Sequence, residues 1–260
     1  MPGLAAGSAG EIGPSEVREE GKAKASVELR DGAIVRGPTQ ARRLALMFTA
    51  HEFAEGGDTI LDALAQHKAK AAFFLTGDFL RNTNFAPLIE RLVREGHYLG
   101  PHSDKHLLLC SFDMSRRTLL TRPEFEADVR HNLRELHRVG APTNPPPFFL
   151  PPYEHFNRET ARWTRALGLT LINFTPGTRS VADYTLEKDR NFVSAQRILD
   201  NILRRERDDP HGLNGFLLLL HVGAGPGRAD KMHRRFPELL EELTKRGYEF
   251  VRVDELLATP

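Results

Sequence analysis

Apolar residues alternate between two textures along this chain. Short apolar runs occur at Leu44–Phe48, Ala71–Leu75, Tyr98–Gly100, Phe148–Leu150 and Gly215–Leu220, with two more at Leu169–Phe174 and Tyr248–Val253 that polar residues interrupt. Between them lie longer stretches in which apolar side chains recur every three or four residues. The first texture predicts strands covered on both faces, and the second predicts amphipathic helices. The helical spacing runs over 58–67, with Ile60, Leu61 and Leu64 on one face, and over 85–95, closed by Gly96. It returns over 124–139, with Phe125, Val129, Leu133 and Leu136 inward, then over 158–167, 195–207 and 236–246. Pro145-Pro146-Pro147 predicts a hinge before the fourth run. Seven strands alternating with helices predict an α/β protein with a mostly parallel sheet. A closed or nearly closed barrel is the preferred form, with an open sheet as the alternative.

Residues 1–40 have a different texture. They are rich in Gly, Ala, Ser and charge and poor in large apolar side chains, so they bury too little to offset their ordering entropy. The expected division is a flexible tail or linker over 1–40, with at most a short strand at Ala33-Ile34-Val35, and one barrel domain over 41–260. A chain of 260 residues is long enough for one such core.

Charge adds little. The formal net charge is +1 and basic residues do not cluster, which argues against nucleic acid or a membrane surface as partner. No apolar run reaches the roughly 18 residues of a membrane span. The first ten residues lack the basic start and apolar stretch of a secretory signal. The expected compartment is the cytoplasm or, if a leader has been removed, the periplasm or exterior. Cys110 is the single cysteine and follows three leucines, which suggests a buried, unreactive thiol.

In a parallel barrel the chemistry sits at the carboxyl ends of the strands. After the first run come His51 and Glu52; after the third come His102, Asp104 and His106. After the fourth come Tyr153, Glu154 and His155; after the fifth come Arg179, Asp183 and Tyr184; after the sixth comes His221. Neutral imidazole is the commonest metal ligand, so two histidines four apart in one loop are a candidate metal pair. Each residue also has an ordinary reading as a solvated loop side chain. His221 is harder to read that way, because four leucines lead directly into it.

The order of these motifs resembles the polysaccharide deacetylases, carbohydrate esterase family four with its NodB-type domain. The resemblance covers roughly residues 44–257. His102-Ser-Asp-Lys-His106 is similar to the family's zinc-binding His-Ser/Thr-x-x-His motif, and Pro151-Pro-Tyr153 to the tail of Arg-x-Pro-Tyr. Leu217-Leu-Leu-Leu-His221 is similar to the last motif, whose histidine is a general acid. The resemblance implies a distorted (β/α)7 barrel in a single domain. It also implies metal-assisted hydrolysis of N- or O-acetyl groups on a carbohydrate, with a divalent ion, zinc first.

Two motifs depart from the family. Its Thr-Phe-Asp-Asp aligns with Met47-Phe-Thr-Ala50, so Thr49 and Ala50 replace the base and the metal carboxylate. Its motif arginine, which pairs with that base, is Leu150 here. The losses are coupled, since an arginine facing no carboxylate would be a costly buried charge. The reading that follows takes His51, His102 and His106 as ligands, Glu52 as base and His221 as acid. Glu154 is a second candidate carboxylate, and Asp183 or Glu52 could orient His221. Tyr153, Glu154 and Asp183 are the candidate substrate contacts, and Phe53, Tyr153, Phe156 and Tyr184 are aromatics that could stack on sugar. The alternatives are a non-catalytic carbohydrate-binding protein and a small-amide or formyl hydrolase on the same fold.

Overall fold

The computed structural model describes residues 26–141 and 148–258. The expected hinge at Pro145–Pro147 lies outside these residues. Among the described residues nine strands and eight α-helices follow in chain order. They are β1 (Glu28–Arg30), β2 (Ala33–Arg36), β3 (Arg43–Ala50), α1 (Gly57–Gln66), β4 (Ala72–Leu75), α2 (Gly77–Arg81), α3 (Ala86–Arg94) and β5 (Tyr98–Pro101). Then come α4 (Arg122–Arg138), β6 (Phe148–Phe149), α5 (Arg158–Ala166), β7 (Thr170–Leu171), α6 (Ala195–Asp208), β8 (Leu217–His221), α7 (Phe236–Lys245), β9 (Glu249–Phe250) and α8 (Val253–Leu257).

β3 is the axis of the sheet. It pairs in parallel with β4 (Met47 opposite Ala72), with β8 (Thr49 opposite His221) and, at its start, with β9. β4 continues in parallel to β5, and β6 pairs in parallel with β7. Two thin seams close the ring. Leu150 N donates to the Pro101 carbonyl at 3.3 Å, joining β5 to β6. Thr175 N donates to the Leu217 carbonyl at 3.0 Å, joining β7 to β8. The result is a distorted (β/α)7 barrel, as expected, built from β3 to β9.

The strands read as unbroken apolar runs because both faces are covered. Ala45, Met47, Phe74, Ile172 and Leu219 fill the barrel interior. Leu44, Leu46 and Phe48 face outward onto Ile60, Leu61 and Leu64 of α1 and Leu239, Leu240 and Leu243 of α7. Cys110 is fully buried, as expected.

The tail boundary at residue 40 needs correction for residues 28–36. β1 and β2 form an antiparallel hairpin over the two-residue turn Asp31-Gly32, whose φ values are 50° and 93°. Asp-Gly with positive φ at both positions is a strong hairpin turn. The hairpin plugs the seam between β7 and β8. Ile34 bridges to Ile172, Arg36 bridges to Phe216, and the Val35 carbonyl accepts from Thr175 Oγ1 at 2.5 Å. Arg36 then reaches Asp209 at 2.9 Å. Three- and four-residue strands are too short to register as apolar runs. β7 and β9 are likewise only two residues long. Their neighbours Ile172 and Val251 are buried and packed beyond the ladder.

Candidate active site

The carboxyl ends of β3 and β8 and the loops after β5 and β6 open into one cavity of about 530 Å³. It is lined by Thr49, Ala50, His51, Glu52, His102, His106, Glu154 and His221, with Tyr153, Tyr184, Phe53 and Phe112 around its mouth. Residues singled out after separate strands therefore meet in this cavity, but not all of them: Asp104 pairs with Arg81 at 2.6 Å, His155 Nε2 bonds the Ser111 carbonyl at 2.9 Å, and Arg179 donates to the Asn191 carbonyl at 3.0 Å.

The loop after β5 is held from below by α4. Asn132 accepts from His102 N at 2.8 Å and donates to the Leu75 carbonyl at 3.0 Å. Asp128 accepts from Ser103 Oγ at 2.5 Å, Asp104 N at 2.9 Å and Lys105 N at 3.0 Å. Ser103 and His106 adopt φ of 72° and 53°, the left-handed conformation that L-residues keep only when their surroundings demand it. These bonds supply that demand. Asp128 and Asn132 escaped the sequence reading, but a signal existed. Both are buried and polar on the helix face that also carries Phe125, Val129 and Leu136.

Each imidazole is set differently. His102 Nδ1 donates to the Leu150 carbonyl at 2.8 Å, which leaves its Nε2 lone pair for the cavity. Burial, with His106 beside it, holds His102 well below the usual imidazole range, so the ring is neutral. Burial, with His51 and His221 nearby, lowers His106 to about 4. His51 shares a hydrogen bond between Nδ1 and Thr76 Oγ1 at 3.2 Å. Thr76 also caps α2, accepting from Phe79 N at 3.1 Å.

Neutral imidazoles with free lone pairs are the ligand form for a metal ion. His102 and His106 lie 5.1 Å apart between ring centroids with planes inclined by 58°, so they suit two positions of one ion. His51 is stacked on His106, with ring centroids 4.6 Å apart and 12° between planes. Among the described residues no three His, Cys, Asp or Glu side chains are grouped to hold an ion. The donor set thus fits a metal as a pair, with His51 adjacent. Ala50 supplies no donor, and Thr49 Oγ1 is buried without a hydrogen-bond partner.

Across the cavity His221 is clasped by Asp183, whose Oδ1 meets Nδ1 at 2.6 Å and whose Oδ2 accepts from His221 N at 2.8 Å. Burial alone would depress His221, but the Asp183 carboxylate outweighs it and, with Glu154, raises the imidazole above its ordinary value. Asp183 is 3% exposed and both its oxygens are taken. Of the two roles expected for Asp183, this geometry fits the partner that orients His221. Its loop is locked by Arg228, fully buried, which donates to the carbonyls of Thr185 at 2.6 Å and Val193 at 2.8 Å and lies 4.9 Å from the Phe192 ring centroid.

The two candidate carboxylates differ. Glu52 sits on the rim, its side chain 66% exposed, 3.8 Å from His51 Nε2. Glu154 lies inside, where burial and the nearby Asp183 outweigh His221 and raise its carboxyl to about 7. Phe156 is buried, which removes it from the sugar-facing aromatics, whereas Phe112 joins them at the cavity mouth.

A parallel barrel with an imidazole cluster and a carboxylate-bound histidine at its carboxyl end defines the class: a hydrolase of the (β/α)7 type. The polysaccharide deacetylase family model matches residues 36–172, more than half of the chain, and the chain belongs to that family. It is 25% identical over 226 residues to a peptidoglycan-N-acetylglucosamine deacetylase of Bacillus cereus, covering 86% of this chain and 71% of that protein. It is 26% identical over 206 residues to a chitooligosaccharide deacetylase of Bradyrhizobium, covering 76% and 82%. In fold it is similar to a carbohydrate esterase family 4 pseudoenzyme from Bacillus anthracis, with a TM-score of 0.67 at 20% identity over 88% of this chain and 70% of that one.

Proposed function

We propose that this protein removes acetyl groups from the amide nitrogen of an amino-sugar oligosaccharide or polysaccharide. One observation carries the reading: the Asp183-bound imidazole of His221 shares a cavity with the neutral pair His102 and His106. An ion held by that pair would be zinc first, because imidazole nitrogen suits it and open catalytic sites use it. Bound there, it would supply Lewis-acid polarisation of the acetyl carbonyl. His51, stacked on His106, is a further donor beside the pair.

The chain's own residues do the proton work. With Nδ1 bonded to Asp183, His221 carries its transferable proton on Nε2. As water's oxygen bonds to the acetyl carbon and the C–N bond breaks, that proton passes to the departing sugar nitrogen. Amine departure requires such a proton, and a histidine raised by a carboxylate holds one near neutral pH. Tyr153, Tyr184 and Phe53, each roughly half exposed at the mouth, offer flat faces to sugar rings.

The test is acetate release from N-acetylglucosamine oligomers, measured as purified, after chelation, and after zinc is restored. Release that falls on chelation and returns with zinc supports the reading. Glycan binding that survives chelation without any acetate release would replace it with a carbohydrate-binding scaffold, the outcome to which Thr49 and Ala50 point.

A further inference from the structure

A deacetylase that protonates its leaving amine with His221 also needs a group to take the proton of the attacking water. The tip of β3 does not supply one. Thr49, which stands beside His221 across the β3–β8 ladder, ends in a buried hydroxyl with no partner. Asp183 is committed to His221 through both oxygens. Glu52 faces solvent at the rim.

The loop after β6 presents another carboxylate. Tyr153 and Glu154 are consecutive left-handed residues, with φ of 58° and 52°. Glycine, asparagine and aspartate adopt this conformation readily; tyrosine and glutamate do not. Two successive bonds keep the loop in it. Glu154 N donates to the Pro151 carbonyl at 3.0 Å, and buried Asn173 Nδ2 donates to the Glu154 carbonyl at 2.7 Å. Such strain persists at sites where it positions a side chain for use. Here it places the Glu154 side chain in the cavity wall together with Thr49, Tyr184 and His221. Among the described residues the Glu154 carboxylate has no hydrogen bond or ion pair to another side chain, so it is free for a water or a substrate. Leu150, four residues earlier, is buried and carries no charge to engage it.

We infer that Glu154, held in the cavity by the left-handed Tyr153-Glu154 turn, is the proton acceptor for the attacking water. The inference rests on the deacetylase reading. As the water oxygen bonds to the acetyl carbon, its proton moves to a Glu154 carboxylate oxygen. As the C–N bond breaks, the proton on His221 moves to nitrogen. Exchange of protons with solvent then restores both groups. The carboxylate thus comes from a turn after β6 instead of from the end of β3.

The position also separates catalysis from folding. Glycine suits a φ of 52° better than glutamate does, so Glu154→Gly relieves the turn while deleting the carboxylate. The experiment measures kcat, oligosaccharide Kd and Tm for the metal-loaded parent, Glu154→Gln, Glu154→Gly and Glu52→Gln. Both Glu154 variants are expected to lose about 10²- to 10⁴-fold in kcat with Kd within a few-fold of the parent. Glu154→Gly is expected to melt no lower than the parent and to regain part of its activity in added formate. The loss in Glu154→Gln should exceed that in Glu52→Gln by at least tenfold. If Glu154→Gln keeps more than a tenth of the parent kcat, or the order of the two glutamates is reversed, the assignment is overturned while the deacetylase reading stands. A parent that releases no acetate overturns both.

Discussion

Asp183 grips His221 twice, with one carboxylate oxygen on the ring Nδ1 at 2.6 Å and the other on the backbone N–H at 2.8 Å. The second contact fixes where the strand end sits, and the first fixes which ring nitrogen faces the cavity. A single carboxylate thus sets the position, tautomer and basicity of the proton donor.

Asp183→Asn is expected to keep the backbone contact and lose the charge. Without that charge the largest remaining influence on His221 is burial, which lowers its pKa. The donor is then neutral at a lower pH, so the basic limb of the kcat/KM profile should move to lower pH and kcat should fall tenfold or more. The stability sign agrees. A histidine raised in the folded state adds stability below its unfolded pKa and loses it as pH climbs through the folded one. The parent's excess stability over Asp183→Asn should therefore shrink from pH 6 toward pH 9, as read by denaturant midpoints.

Zinc affinity, measured by competition with a chromophoric chelator, tests the histidine cluster. His102→Ala and His106→Ala are each expected to abolish stoichiometric binding. His51→Ala should weaken binding if His51 turns away from His106 to complete the site. Unchanged affinity and stoichiometry would remove His51 from the ligand set.

Asn132→Ala strips two buried backbone groups, His102 N and the Leu75 carbonyl, of their partner. Each such loss costs about 1–3 kcal/mol. Stability should fall by that order, and zinc affinity should drop by roughly 10- to 100-fold, as for groups that orient ligands. A thermal melt and the same chelator competition read both.

Arg228→Met should be among the most damaging single changes away from the cavity. It leaves the carbonyls of Thr185 and Val193 unpaired and empties a fully buried site. Each buried carbonyl left without a partner costs about 1–3 kcal/mol. The loss should appear as a lower denaturant midpoint. Because the freed loop carries Asp183, kcat should also fall at temperatures where the variant remains folded.

The six longer helices were legible to within two residues because their signal is local, apolar spacing for α1 and α4 and a terminal glycine for α3, whereas α8 was not read and its Val253 was assigned to the last strand. β3, β4, β5 and β8 were legible because both faces are buried, which leaves an unbroken apolar run. α2 was missed because it is only five residues long, and its cap, Thr76, was not read as one. Of the N-terminal hairpin, β2 was anticipated as a short strand at Ala33–Val35, while β1 and their pairing were missed although Asp31-Gly32 marked the turn. At the site, His102, His106 and His221 stood out by motif. Of the two carboxylates following strand ends, the sequence put Glu52 first as the base and Glu154 second, and the fold leaves Glu52 mostly exposed while it buries more of Glu154.

The sequence by itself determined the alternation of strands and helices, the end of the barrel where chemistry would collect, and the family. Those properties follow from periodicity and from short motifs, which act over a few residues of chain. Only the tertiary structure decided which groups meet. Asp183 finds His221 across 38 residues, His102 finds the Leu150 carbonyl across 48, and Arg36 ties the N-terminal hairpin to Asp209 across 173. Hydrogen bonds and burial act over a few ångströms of space, whatever the distance along the chain. That is why Glu154 is enclosed in the cavity wall while Glu52, on the rim of the same cavity, stays mostly solvated.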